Sequence, residues 1–259
     1  SIDSNIYIFG GNDGTFLNDL YKINTSLSYD DNDVDYYIEI TSNGFDDTIS
    51  ERHHHSMTSI GNDIYIFGGY DGTSNLNDLY IIDTITDDIQ LITSNGFDDA
   101  ISTRYYHSMT SIDSNIYIFG GYDGTSLNDL YKIDSITCNV TTITSNGFDD
   151  DISARDEHSM TSIGNNIYIF GGYDDQTTLL NDLYEIDTIT CNVTTITTNG
   201  FYNKISQRNE HSMTSVGNDI YIFGGYDNDS IILNDLYKIS KTLEYNSVQL
   251  NIEETIIIS

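Results

Sequence analysis

Apolar residues in this chain gather in short runs, separated by Gly, Asp, Asn and Thr, and nowhere recur at the spacing of an amphipathic helix. Between residues 107 and 143 the pattern predicts four strands: His107–Ile112, Ile116–Phe119, Leu130–Ile133 and Val140–Ile143. The same order recurs along the chain. Ile-Tyr-Ile-Phe-Gly-Gly begins at Ile6, Ile64, Ile116, Ile167 and Ile220, at spacings of 58, 52, 51 and 53 residues. Each copy runs on through an acidic Gly/Asp-rich loop to Leu-Asn-Asp-Leu-Tyr, as at Leu127 to Tyr131. Four copies continue through a Thr-rich stretch to a turn signal, Asn-Gly, at Asn43, Asn95, Asn146 and Asn199. Arg-x-x-His-Ser-Met then follows at Arg52, Arg104, Arg155 and Arg208. Four strands in about fifty residues, repeated, form a propeller blade rather than a solenoid coil. The paired glycines permit a close approach that a side chain would block.

The pattern resembles the kelch repeat over almost the whole chain. The matching elements are the apolar run before Gly-Gly, the Asp-Leu-Tyr strand, and Arg-x-x-His opening the next blade. The resemblance implies an all-β, kelch-type β-propeller. Kelch blades usually carry spaced Tyr and Trp in their outer strands. Here Ile82, Ile133, Ile186 and Ile239 stand in the Tyr slot, and Ile89, Val140 and Val193 in the Trp slot. The usual proline before the arginine is missing too, so outer-strand packing differs from the family pattern.

Five copies predict five four-stranded blades in a single domain, residues 1–259, standing alone or within a longer array. The units start near residues 1, 53, 105, 156 and 209. Ser1-Ile2 aligns with Ser111-Ile112, so the first blade is expected to lack an innermost strand of its own. The tail, residues 253–259, is a short β-type run. It is expected either to fill that vacancy and close the ring, or to pair with a neighbouring molecule in self-assembly.

Charge narrows the choice of partner. Asp+Glu number 41 against Lys+Arg 9, a formal net charge of −32. Such a surface repels phosphate backbones and anionic lipid headgroups, which excludes nucleic acid as a partner. No apolar run approaches the ~18 residues of a membrane helix, so no membrane insertion is expected. Proline and tryptophan are absent, yet 21 Tyr and 10 Phe supply a core.

A residue present in every repeat usually holds the blade together, whereas a single site needs residues that break the repeat. All four arginines occupy one repeat position, and His55, His107, His158 and His211 follow three residues later. A ring of metal-binding histidines is one reading; hydrogen bonding between blades is the favoured one, and no metal or cofactor is expected. The repeat-breaking pairs between Arg and His are His53-His54, Tyr105-Tyr106, Asp156-Glu157 and Asn209-Glu210. In an up-down blade these connections emerge beside the loops after Gly-Gly, which begin at Asp13, Asp71, Asp123, Asp174 and Asp227. Together they predict an acidic loop face that binds protein or carbohydrate.

The family also contains enzymes, galactose oxidase among them, whose copper chemistry needs a Tyr–Cys cross-link. Cys138 and Cys191 fall instead in peripheral hairpin connections, and no catalytic triad, phosphate loop or zinc spacing stands out. A non-catalytic interaction or structural module is therefore expected; an intracellular adaptor is the first alternative and an enzyme with a site at the channel mouth the second. Asp31-Asn-Asp33-Val-Asp35 has alternating oxygen ligands but lacks the glycine and glutamate of an EF-hand, so it reads as a solvated loop. Glycosylation sequons occur at Asn24, Asn139, Asn192 and Asn228, all in predicted connections or at strand ends. With few lysines and many aspartates, they favour an extracellular or cell-surface glycoprotein over a cytoplasmic protein.

Overall fold

The computed structural model describes residue 2 and residues 5–25, 37–39, 48–93, 100–143, 152–175, 177–196, 204–244 and 247–256. The Asp31–Asp35 loop and the four Asn-Gly turns lie outside the described residues. Among the described residues every complete regular element is a β-strand.

The first sheet has three described strands, β1 (Asn5–Asn12), β2 (Phe16–Asn24) and β3 (Tyr37–Glu39). Strands β4 (Ser56–Ile60), β5 (Asp63–Tyr70), β6 (Asn75–Asp83) and β7 (Ile89–Ile92) form the second. The third holds β8 (Ser108–Ile112), β9 (Asn115–Phe119), β10 (Leu130–Asp134) and β11 (Val140–Ile143). In the fourth, β12 (Ser159–Ile163) and β13 (Asn166–Phe170) lead into a ribbon, β14 (Tyr173–Asp174) with β15 (Thr178–Leu179). That sheet ends with β16 (Leu183–Asp187) and β17 (Val193–Thr195). Strands β18 (Ser212–Val216), β19 (Asp219–Phe223), β20 (Asp235–Glu244) and β21 (Ser247–Ile256) make the fifth. Each sheet is an antiparallel meander in chain order, the strand arrangement of a β-propeller blade.

Five four-stranded blades were expected; among the described residues there are four such sheets and one of three strands. No described strand pairs with the free edge of β1, and Ile6 and Ile8 on it are exposed. The tail has another place. Residues 247–256 run antiparallel along β20, with Tyr237 opposite Glu254 and Asp235 opposite Ile256, so they form the outer strand of the fifth sheet.

The chain packs as two compact units, residues 1–105 with 137–139, and residues 106–136 with 140–259. In the second, third and fourth sheets the Ile-Tyr-Ile-Phe strand is continuously apolar because both its faces are covered: residues 64–67, 116–119 and 167–170 are all buried. The isoleucines in the Tyr slot, Ile82, Ile133, Ile186 and Ile239, are buried as well, and Ile89 and Val193 pack against the cores from the outer strands. A β-branched side chain there fills the space between sheets without a polar tip to satisfy. Asp83 and Asp187 shape the turn to the outer strand, each accepting backbone N–H groups two and three residues on, at 2.8–3.2 Å.

Candidate binding face

The frame of the loop face is the repeated arginine. Its main chain closes the preceding repeat: the Arg52 N–H donates to the Leu17 carbonyl at 2.9 Å, and the Arg52 carbonyl accepts from the Gly11 N–H at 3.0 Å. Arg104 does the same with Leu76 and Gly69, Arg155 with Leu127 and Gly121, and Arg208 with Leu180 and Gly172. The side chain turns the other way, into its own repeat. Arg155 is fully buried, holds both oxygens of Asp182 at 2.7 and 2.9 Å, donates to the Gly171 carbonyl at 3.1 Å, and lies 5.2 Å from the centre of the Tyr184 ring. Arg52 with Asp78 and Tyr80, and Arg208 with Asp235 and Tyr237, repeat the arrangement. A planar guanidinium with a bidentate carboxylate and a ring beneath it satisfies a buried charge in the way a lysine could not. The asparagine of Leu-Asn-Asp adds a link, as Asn77 and Asn181 donate to the carbonyls of Ile101 and Ile205 at 3.0 Å.

The motif histidines stand edge-on against the phenylalanine of the preceding repeat, with centroids at 5.1 Å for Phe9–His55, 5.2 Å for Phe119–His158 and 5.1 Å for Phe170–His211. Burial, followed by the neighbouring arginine charge, lowers His55 and His211 to about 3 and His158 well below its ordinary value. They are neutral packing groups. Among the described residues no three His, Cys, Asp or Glu side chains gather as a metal site.

Onto this frame the chain places its variable residues. The residue after the arginine forms a two-way backbone bridge with the tyrosine after Gly-Gly: His53 with Tyr70, Asp156 with Tyr173, Asn209 with Tyr226, at 2.9–3.2 Å. The two variable sets thus adjoin within each of these repeats. The next residue, His54, Tyr106, Glu157 or Glu210, sits in the left-handed region at φ of 50–59°. That conformation costs a non-glycine residue roughly 1–2 kcal/mol. The backbone there makes a ladder, with the Glu157 N–H donating to the Tyr106 carbonyl and the Glu210 N–H to the Glu157 carbonyl, both at 3.0 Å.

In the first unit the rim is aromatic. Phe16 stacks on His53 with centroids 4.7 Å apart and planes within 3°, while Tyr70 meets His53 and Tyr105 at 5.7 and 6.0 Å. Phe16 also covers Gly72, where an added Cβ would lie 2.4 Å from the ring. Burial lowers His53, and burial with the His53 charge lowers His54 to about 4.

The second unit offers carboxylates at the equivalent positions. Asp156 is fully buried and accepts the Ser126 hydroxyl at 2.6 Å, with its pKa raised by burial. Asn209 is buried and donates its amide to Glu157. Burial, then Glu210 and Asp156, push Glu157 up to about 7. Of the eight predicted rim residues, His53, His54, Tyr105, Tyr106, Glu157 and Glu210 therefore reach the surface, while Asp156 and Asn209 are drawn inside. Sequence reasoning passed over Tyr70, Tyr173 and Tyr226, although a tyrosine follows Gly-Gly in four of five repeats. The loop aspartates Asp13, Asp71, Asp123 and Asp227 bond their own loops.

The profile of the KLHDC2/KLHL20/DRC7 Kelch-repeats domain matches residues 1–149 and 106–255. This chain belongs to the kelch-repeat family. Kelch domain-containing protein 3 of Bos taurus is 32% identical over 188 residues, which cover 67% of this chain and 48% of that protein. Kelch domain-containing protein 10 of Homo sapiens is 31% identical over 194 residues, covering 71% and 43%. The kelch chain thus spans about half the length of these curated relatives. A probable serine/threonine-protein kinase of Dictyostelium discoideum is 36% identical over 124 residues, 9% of its own length, too small a share to carry an activity across. Kelch-repeat domains are in general protein-interaction modules and typically non-enzymatic.

Proposed function

We propose that this kelch module is a non-catalytic protein binder whose loop face takes a cationic segment of its partner. The observation that supports it is the backbone bridge joining the two variable sets in three repeats, which brings the sequence differences of each such repeat side by side. A net charge of −32 and the half-buried Glu157 beside Glu210 set the sign of the partner. Immobilised peptides of matched length, cationic and neutral, test it. The chain should retain the cationic ones; a Glu157→Lys/Glu210→Lys variant should lose them, while Asp87→Lys/Asp88→Lys, in the turn before β7, should keep them. Equal loss in both variants would reject the assignment.

A carbohydrate ligand is a second reading, supported by the stacked Phe16–His53 pair beside Tyr70. We also propose an extracellular or cell-surface setting, supported by the exposure of Asn139, Asn192 and Asn228 in turns. Intact mass before and after N-glycan removal tests it, and an unchanged mass would reject it.

A further inference from the structure

Four polar residues of the second unit, Ser126, Asp156, Glu157 and Asn209, form a run of contacts that is short of donors. Asp156 is 0% exposed; one of its oxygens accepts the Ser126 hydroxyl at 2.6 Å, and the other, Oδ1, is buried and accepts nothing. Asn209 is 7% exposed and gives its amide N–H to Glu157, so its carboxamide lies against that carboxylate. Its Oδ1 is likewise buried and without a donor. Glu157 accepts the Tyr106 hydroxyl as well. Among the described residues no Lys or Arg pairs with Asp156 or Glu157: Arg155 and Arg208 are taken by Asp182 and Asp235, and Lys238 by Asp219.

A buried acceptor left without a donor costs about 1–3 kcal/mol, and a buried carboxylate is ordinarily matched by a cation. Two such acceptors beside two carboxylates call for a donor that carries positive charge. We infer that Asp156, Glu157 and Asn209 seat one primary ammonium group of the partner, a lysine side chain or a chain's N-terminal amine. This rests on the reading that the loop face takes a cationic segment, and it names which cation. Glu157 is half-buried and Glu210 exposed, so the ammonium arrives from their side.

The acceptor set decides between cations. An ammonium carries three N–H donors on a compact head, enough for Asp156 Oδ1, Asn209 Oδ1 and a lone pair of Glu157 together. A guanidinium is a planar fork suited to both oxygens of one carboxylate. Asp182 and Asp235 offer that pair to Arg155 and Arg208, whereas Asp156 has one oxygen committed to Ser126. Among the described residues no three His, Cys, Asp or Glu side chains gather, so the set does not close around a divalent metal. Burial and the Asp175 charge raise the Asp156 carboxyl, and burial with the Glu210 and Asp156 charges raises Glu157. An ammonium relieves both.

Three arginine-rich peptides of one length, titrated into the 259-residue chain, test this. One is acetylated, one is acetylated and carries a single central lysine, and one has a free N-terminus. The lysine peptide or the free-amine peptide, according to the source of the ammonium, should bind about tenfold tighter than the acetylated arginine peptide, the worth of one set of charged hydrogen bonds. In Asp156→Asn, which matches the native side chain in shape, that gain should shrink to less than about twofold. A measurement on the parent chain stands should the variant fail to fold: the bound, 15N-labelled ammonium should give a proton signal sheltered from exchange with water. No gain from either ammonium, or a bound ammonium in free exchange, would overturn the inference and leave the cationic-segment reading standing. If no peptide binds, both fall.

Discussion

The first unit and the second share one backbone at the loop face and carry opposite chemistry on it. Around His53 and His54 the rim is a stack of rings; around Asp156, Glu157 and Glu210 it is a set of crowded carboxylates. Both rest on a buried arginine, a bridge to the tyrosine after Gly-Gly, and a left-handed residue at the second position. The difference teaches that the frame tolerates any side chain at the rim because the main chain and the arginine do the holding. It also means the two regions titrate with opposite sign.

Removing the frame should hurt both regions alike and most severely. Arg52→Ala and Arg155→Ala each take away a buried bidentate partner, and each should lower stability by about 3–5 kcal/mol in urea unfolding. A loss under about 1 kcal/mol in either would break the idea of a common frame. A smaller effect separates the regions. Gly72 and Gly124 hold the same loop position, both at positive φ, but only Gly72 lies beneath a ring. Both Ala variants incur the left-handed cost of roughly 1–2 kcal/mol, and Gly72→Ala should cost about 1–3 kcal/mol more because Phe16 must move. Equal costs would show that the Phe16–His53 stack is not held in place.

The smallest effects sharpen the comparison most. His54 falls to about 4 in the fold from 6.5, so the unfolded chain takes up the proton first and stability is lost as pH falls from 6.5 toward 4. Glu157 rises to about 7 from 4.5, so the folded chain holds its proton and stability is lost as pH rises from 4.5 toward 7. His54→Gln should therefore raise the melting temperature at pH 5 and leave it unchanged at pH 8. Glu157→Gln should do the reverse, with a gain at pH 8 and none at pH 4. Both groups are partly solvated, so each gain should be about 2–4 °C. Gains in the same pH window would contradict the assignment of two rim chemistries.

Much of this was legible in the sequence because the repeats are nearly identical strings. Ile-Tyr-Ile-Phe-Gly-Gly and Arg-x-x-His gave the blades, the strand order and the structural role of the arginines. The burial of Asp156 and Asn209 was not legible. Their repeat position reads His53 and Tyr105 elsewhere, both half-buried, and the serine that receives Asp156 belongs to the loop of the preceding repeat. The left-handed turn at His54, Tyr106, Glu157 and Glu210 carries no glycine to announce it; the ladder between repeats imposes it. The place of the tail depended on pairing with β20, a register that a short β-type run does not encode by itself.

The most direct test of a rim that binds on an invariant frame is calorimetric titration of an arginine-rich peptide into the chain and into Glu157→Gln/Glu210→Gln. The double variant removes two of 41 carboxylates, so diffuse attraction would hardly change. The account predicts binding at pH 8 that weakens by about tenfold in the variant, and weakens in the parent chain as pH falls below 7 and Glu157 takes up its proton. Equal affinity of the two chains at pH 8 would contradict it.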